Sequence, residues 1–308
     1  MPKVVIHDED GHVDDLLSTL LLWLAPQVDL QAVTITEGDC YVHDSYETLI
    51  KIATYLDLEG AEIAISEDAI TNPFPDSWRR ESNIVKDLPI FANNLLKATY
   101  QPGKPRKSQS LIIDCLNNSK TPVTICATGP LTNLADVFTQ RIDLKNKVEE
   151  FVIMGGALKV PGNVEAAGHD GSAEWNFFAD PYSAKIIMGL DRPIRLIPLD
   201  ITNQLPLRQE FLNKLALQTA DYKASKLASS LWSLVRKIDY YFWDTVTAAA
   251  IIRPELFEFK NMRLDLSTTG KSQGRIYPSF FSLRKFRVAT AVNRAGFEEL
   301  ILDLLRQK

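Results

Sequence analysis

Five carboxylates, Asp8, Glu9, Asp10, Asp14 and Asp15, fall within eight positions near the start of the chain. Charges that close repel one another, which raises carboxyl pKa values and destabilises the turn that holds them. Two arrangements relieve the repulsion. A helix N-terminus at Asp14 and Asp15 contributes about 0.3–1 kcal/mol per acid. A hard divalent cation with oxygen ligands accounts for a larger cluster. A capped helix with solvated acids remains the plain alternative. In the cation reading Asp8 is expected to support the cluster from behind and Glu9 to face solvent.

The elements that must position these acids follow from the apolar pattern. Val4–Ile6 reads as a short buried strand, and the apolar residues from Asp14 to Leu24 recur at helical spacing. Strand-like runs at 30–36, 61–65, 123–127, 149–156 and 194–200 alternate with helical runs at 45–56, 131–138 and 180–190. That alternation predicts an α/β fold, a mostly parallel central sheet flanked by helices. Such sheets bind ligands at the carboxyl ends of their strands. The acidic turn, "GDC" (38–40), "ATGPLTN" (127–133) and "MGG" (154–156) all follow strands and should converge there.

Segments 71–82 and 159–176 read as long irregular loops, and 99–110 as a polar connector. A helical region follows Arg208 and ends in "WDTVTAAAIIRPELF"; strands at 258–266 and 285–292 and a helix at about 296–306 close the chain. No linker divides it, so residues 1–308 are expected to form a single domain.

The composition is ordinary for a globular protein, 45% hydrophobic and 24% charged. A net charge of −5 gives no electrostatic reason to expect nucleic acid or an anionic membrane surface. No apolar run reaches the ~20 residues that a membrane helix needs. The three cysteines lack metal-ligand spacing, which with the absence of a secretory signal suggests a cytoplasmic protein.

"DEDG" is similar to the start of the aspartyl phosphatases, but that family's later acidic pair lies far downstream. The opening more closely resembles the DxDxGxDD-type signature of the nucleoside hydrolases. "ATGPLTNLA" (127–135), "MGGAL" (154–158), "GN" (162–163), "AEWNFFADPYSA" (173–184) and "WDTVTAAA" (243–250) match that family in order and spacing. The resemblance implies a Rossmann-like fold and hydrolysis of the N-glycosidic bond of ribonucleosides. It implies Ca²⁺ held by Asp10, Asp15, the Thr128 carbonyl and Asp244, with Asp10 also the general base. Asp14, Asn163, Glu174 and Asn176 are then expected at the ribose. The usual His before the last metal-binding Asp is replaced by Trp243, a mark of the purine-specific inosine–adenosine–guanosine subgroup. There a purine ribonucleoside would stack between Trp78 and Trp243, with Asp39 at the base and Trp175 as pocket wall or core. His12 stands where that subgroup commonly has Asn, and either a neutral supporting role or exposure suits it. Arg236 is expected on a solvated helix face. The family is usually oligomeric, so a homodimer is the expectation.

Overall fold

The computed structural model describes residues 2–92, 104–235 and 239–307; Arg236 and positions 99–103 of the polar connector lie outside them. Strands β1 (Lys3–Glu9), β2 (Val28–Ile35), β3 (Glu62–Ile65), β4 (Arg106–Lys107), β5 (Val123–Ala127), β6 (Val148–Met154), β7 (Ile194–Ile197), β8 (Phe257–Met262) and β11 (Phe286–Val292) form one sheet. Their order is β4-β3-β2-β1-β5-β6-β7-β11-β8, parallel throughout except for the antiparallel edge strand β8. A separate antiparallel pair joins β9 (Leu264–Leu266) to β10 (Ile276–Pro278). The expected fold class is the observed one.

Alternate strand residues feed opposite faces of the sheet, as the strand period requires. Val5, Val33 and Val152 join one apolar cluster, with helices Val13–Leu24, Val42–Leu56 and Trp243–Ile252. Ile6, Ala32 and Ile153 join the other, with helices Ser108–Asn118, Thr132–Gln140 and Pro181–Gly189. Strand order reverses between β1 and β5, and ligand crevices of open α/β sheets form at such a switch point. Both strands deliver their carboxyl ends there, with Asp10 following one and Thr128 the other.

Four expectations need correction. First, β1 does not stop at Ile6 but runs on through Glu9, because Asp8 and Glu9 lie opposite Thr34 and Ile35 of β2. Glu9 is therefore fully buried rather than solvated. Second, the strand at 194–200 ends at Ile197; Pro198, without an N–H for the ladder, starts the short helix Leu199–Thr202. Third, 258–266 is two strands in two different sheets. Fourth, 71–82 is not wholly a loop, since it contains helix Asp76–Arg79 and the start of helix Glu81–Lys86.

Helix Trp243–Ile252 packs against helix Val13–Leu24, and each carries its acids in the first turn. The entry to the former is anchored by Phe242, 1% exposed, whose ring meets Phe211, Trp232 and Phe297 edge-on at 5.1, 5.6 and 5.2 Å. Phe242→Ala is expected to cost about 3–5 kcal/mol of stability by leaving a cavity in this cluster. Denaturant unfolding checks this, and a loss under about 1 kcal/mol would show that the cluster collapses to fill the gap.

Candidate active site

A cavity of about 280 Å³ opens at the switch point. Every residue singled out from the sequence for a role at a shared site lines it: Asp10, His12, Asp14, Asp15, Asp39, Trp78, Thr128, Asn163, Glu174, Trp175, Asn176, Trp243 and Asp244. Met154 of the "MGG" turn joins them as expected, and Phe74, Glu81 and Tyr240 join without having been anticipated. Tyr240 had a signal, the aromatic run "YYFW" just before Asp244. Glu81 and Phe74 had only their nearness to Trp78.

The turn between β1 and the first helix is built for close approach. Gly11 has φ +87°, and a Cβ there would lie 1.9 Å from Ser45 Oγ, so glycine is required on both counts. The His12 N–H donates to Asp15 Oδ2 at 3.1 Å, half of a capping arrangement that starts the helix. Carboxylate oxygens of Asp14, Asp15 and Asp244 all lie within 4.8 Å of one another, and all three residues are buried. Asp14, expected at the ribose, thus stands with two expected metal ligands. Asp10 is outside this trio and turns Oδ2 to the backbone N–H of Asp39, 3.0 Å away.

Burial and then the neighbouring carboxylates push the Asp15 and Asp244 carboxyls well above their usual range. Burial raises Asp10 to about 7 in the same way. Asp14 is held low: burial opposes its charge, but His12, Asp244 and the Tyr240 hydroxyl, which donates to Asp14 Oδ1 at 2.8 Å, outweigh it. For His12, burial disfavours the protonated ring. The surrounding Asp39, Asp14 and Glu81 prevail and raise its pKa well above the ordinary value. His12 is therefore buried rather than exposed, and its carboxylate neighbours favour the protonated ring.

A buried chain of hydrogen bonds supports the acids from beneath. The Thr128 hydroxyl donates to Asp15 Oδ1 at 2.5 Å, and His7 Nε2 lies 2.9 Å from that hydroxyl oxygen. His7 Nδ1 lies 2.7 Å from Thr19 Oγ1, which is 3.2 Å from Glu9 Oε2. Burial lowers His7 to about 3, so its ring is neutral with one N–H. Thr19 Oγ1 donates to Glu9 Oε2, while Glu9 Oε1 is buried with no partner among the described residues. Burial and then the charge of Asp15 hold the Glu9 carboxyl well above its usual range. Asp8 provides the expected support, accepting from Thr34 Oγ1 at 2.6 Å and Asn133 Nδ2 at 2.8 Å.

On the opposite rim, Asn176 Nδ2 donates to the Thr128 carbonyl at 2.7 Å, and Asn163 Oδ1 accepts from the Trp175 N–H at 3.0 Å. Glu174 caps helix Trp175–Ala179 and accepts from the backbone N–H groups of Gly156, Asn176 and Phe177. Burial still lifts it to about 7. Trp175 is both wall and core, since it lines the cavity, is 6% exposed and stacks on Phe74 at 4.9 Å. Trp78 meets the edge of Trp175 at 5.3 Å. Trp243 meets Tyr240 and Tyr241 at 4.9 and 5.4 Å. The cavity thus has a floor of carboxylates and two separate aromatic groups on its walls.

A doubly wound α/β sheet with an acid-floored, aromatic-walled cavity at its switch point has the architecture of a small-molecule enzyme. The family model described as inosine-uridine preferring nucleoside hydrolase matches residues 5–299, and the chain belongs to that family. It is similar to a solved inosine-uridine preferring nucleoside hydrolase from Bacillus anthracis, with 30% identity, TM-score 0.92, and 99% of this chain and 100% of that one covered. It is also similar to the pyrimidine-specific ribonucleoside hydrolase RihA of Escherichia coli, 25% identical with 98% of each chain covered. A purine-preferring ribonucleoside hydrolase from Gardnerella vaginalis shares the fold, at 23% identity, TM-score 0.77 and 99% coverage of both chains.

A Cβ on Gly38 would lie 2.1 Å from Asp10 Oδ2 and 2.4 Å from Asp10 Cβ. Gly38→Ala should displace the Asp10 carboxylate and lower nucleoside turnover by roughly 10²-fold, the effect of about 1 Å of misplacement. Steady-state kinetics beside a circular dichroism spectrum checks this. Full activity in a folded variant would remove Asp10 from the chemistry.

Proposed function

We propose that this nucleoside hydrolase acts on purine ribonucleosides with Ca²⁺, releasing free base and ribose. The observation that carries the reading is the cavity, which sets buried carboxylates beneath two separate tryptophan-bearing walls. All of its oxygen donors are hard, and buried carboxylates this close call for a compensating positive charge, so the residues fit a hard divalent cation. Asp15 and Asp244, with Asp10 and the Thr128 carbonyl, would hold the ion. When bound it supplies Lewis acidity toward water and the ribose hydroxyls.

Asp10 is the general base. Its Oδ2 is engaged by the Asp39 N–H, which leaves Oδ1 to take the proton of the attacking water. Attack is at the anomeric carbon, on the face opposite the base, and the transition state is oxocarbenium-like, as in O-glycoside hydrolysis. Asp14, Asn163, Glu174 and Asn176 hold the ribose. Asn163 Nδ2 is free to donate, because its Oδ1 carries the Trp175 N–H. Glu174 has three backbone donors already, so a sugar hydroxyl would take its remaining lone pair.

The base stacks between Trp78 and Trp243, where aromatic faces favour a cationic, protonated purine. Asp39 lines the cavity with a buried oxygen that has no partner, and that oxygen orients the base. The RihA relative carries a pyrimidine-specific name, so pyrimidine hydrolysis is the competing outcome. The single-domain reading of residues 1–308 is supported by one main sheet that takes strands from Lys3 to Val292.

A free-base release assay on inosine, adenosine, guanosine, uridine and cytidine tests the proposal. Purine nucleosides should lead, and uridine turnover equal to that of inosine would overturn purine preference. A calcium chelator should abolish turnover and added Ca²⁺ restore it; indifference to both would remove the metal. Asp10→Ala should reduce kcat by about 10²–10⁴-fold, the usual size of a general-base contribution. Trp243→Ala should lower kcat for purines more than it raises KM, and an unchanged kcat would remove the stacking mechanism.

A further inference from the structure

The ring of His12 touches three elements at once. Nδ1 lies 3.2 Å from both Asp14 Oδ1 and Tyr240 Oη, and Nε2 lies 3.4 Å from Glu81 Oε2. Asp14 belongs to the acid floor. Tyr240 carries the Trp243 wall, edge to ring at 4.9 Å. Glu81 opens its helix three residues beyond Trp78 and belongs to the opposite wall. One imidazole therefore spans the slot between the two tryptophan-bearing walls, at a position buried to 8% exposure.

The other ties of segment 76–86 lead elsewhere. The Tyr41 hydroxyl donates to Asp76 at 2.5 Å, and Arg79 pairs with Glu37. Ser82 and Lys86 both bond Asp44, at 3.2 and 2.8 Å. These contacts hold the segment to the outer surface of helix Val42–Leu56 and to the chain before it. Among the described hydrogen bonds, the one from Glu81 to His12 is the tie that runs from the Trp78 segment to the acid turn. None of these outer ties touches the cavity floor, and Trp78 itself rests only on aromatic contacts with Phe74 and Trp175, at 6.5 and 5.3 Å. The Glu81 carboxylate meets the imidazole at 3.4 Å, the long end of hydrogen-bond range, and is the polar link from this segment to the acid turn.

We propose that Glu81 is a positioning residue: through His12 it holds the Trp78 segment at a set separation from the Tyr240–Trp243 wall, and so selects nucleosides by the base rather than by the sugar. The inference rests on the reading that the base lies between those walls. It explains why a histidine serves at position 12, since an imidazole offers two nitrogens on opposite sides of a rigid ring. A shorter amide side chain has no such span.

Two measurements on the full chain test it. In Glu81→Ala, amide hydrogen exchange across 76–86 should quicken by roughly tenfold, the worth of one hydrogen bond to a charged group. The KM for inosine should rise by a similar factor with a smaller change in kcat, while the inhibition constant of free ribose stays put. Glu81→Gln keeps an oxygen that accepts from His12 and should restore both exchange and KM. Unchanged exchange in 76–86, or an unchanged KM, overturns the proposal. A ribose constant that weakens in step with KM also overturns it, because Glu81 would then act on the acid floor. If the unaltered protein releases base from no nucleoside, the functional reading fails, and the exchange measurement still decides whether Glu81 holds the segment.

Discussion

The structure depends on keeping buried carboxylates together without letting their repulsion unfold the turn. Removing such charges from water costs several kcal/mol each unless they are paired or hydrogen-bonded. Two helix N-termini meet at the cluster and contribute their dipoles, since Asp14, Asp15 and Asp244 all lie in first turns. The Thr128 hydroxyl, the Asp39 N–H, the Tyr240 hydroxyl and the His12 ring take up individual oxygens. Even so, Asp15 and Asp244 remain pushed well above their usual range. That residual repulsion is what the proposed cation would relieve.

Much of the surrounding architecture serves that constraint. The sheet reverses its strand order between β1 and β5, which brings Asp10 and Thr128 to one edge. The glycines at 38 and 129 leave no room for a Cβ beside Asp10, with closest approaches of 2.1 and 2.9 Å. The layer beneath, from Glu9 through Thr19 and His7 to Thr128, is a continuous row of buried hydrogen bonds that reaches Asp15. An unpaired polar group in that layer would carry a desolvation cost of about 1–3 kcal/mol, so the layer is as constrained as the residues that face the cavity. The aromatic walls are a different kind of structure. The Trp78 wall rests on a four-residue helix held by a few side-chain ties, while Trp243 opens a buried ten-residue helix. Relatives that share the fold carry names of different base preference, as expected when function resides in a site grafted on a common scaffold.

The site was legible in the sequence to the extent that its residues follow strands or open helices. Asp10, Asp39, Thr128 and Met154 could be placed because apolar runs of period two end just before them. Asp244 and Asp14 could be placed because helical spacing starts there. The family resemblance then added Asn163, Glu174 and Asn176 from a glycine-rich stretch with no regular period of its own. Glu9 was misplaced because a charged residue at a strand end reads as solvent-facing, and only its register beside Ile35 of β2 buries it. Tyr240 was signalled only by the aromatic run before Asp244, and Glu81 carried no local signal that distinguishes a wall of the cavity from a surface helix.

By itself the sequence determined the alternation of strands and helices, the class of fold and the family, because each rests on short-range periodicity or on motifs read along the chain. Tertiary structure alone decided which carboxylate faces which. Asp14 stands with Asp15 and Asp244, while Asp10 turns to the Asp39 N–H. It also decided that His12 is buried between Asp14, Tyr240 and Glu81, residues up to 228 positions apart in the chain. Contacts of that range depend on how helices pack across the sheet, and no pattern local to the acidic turn encodes that packing.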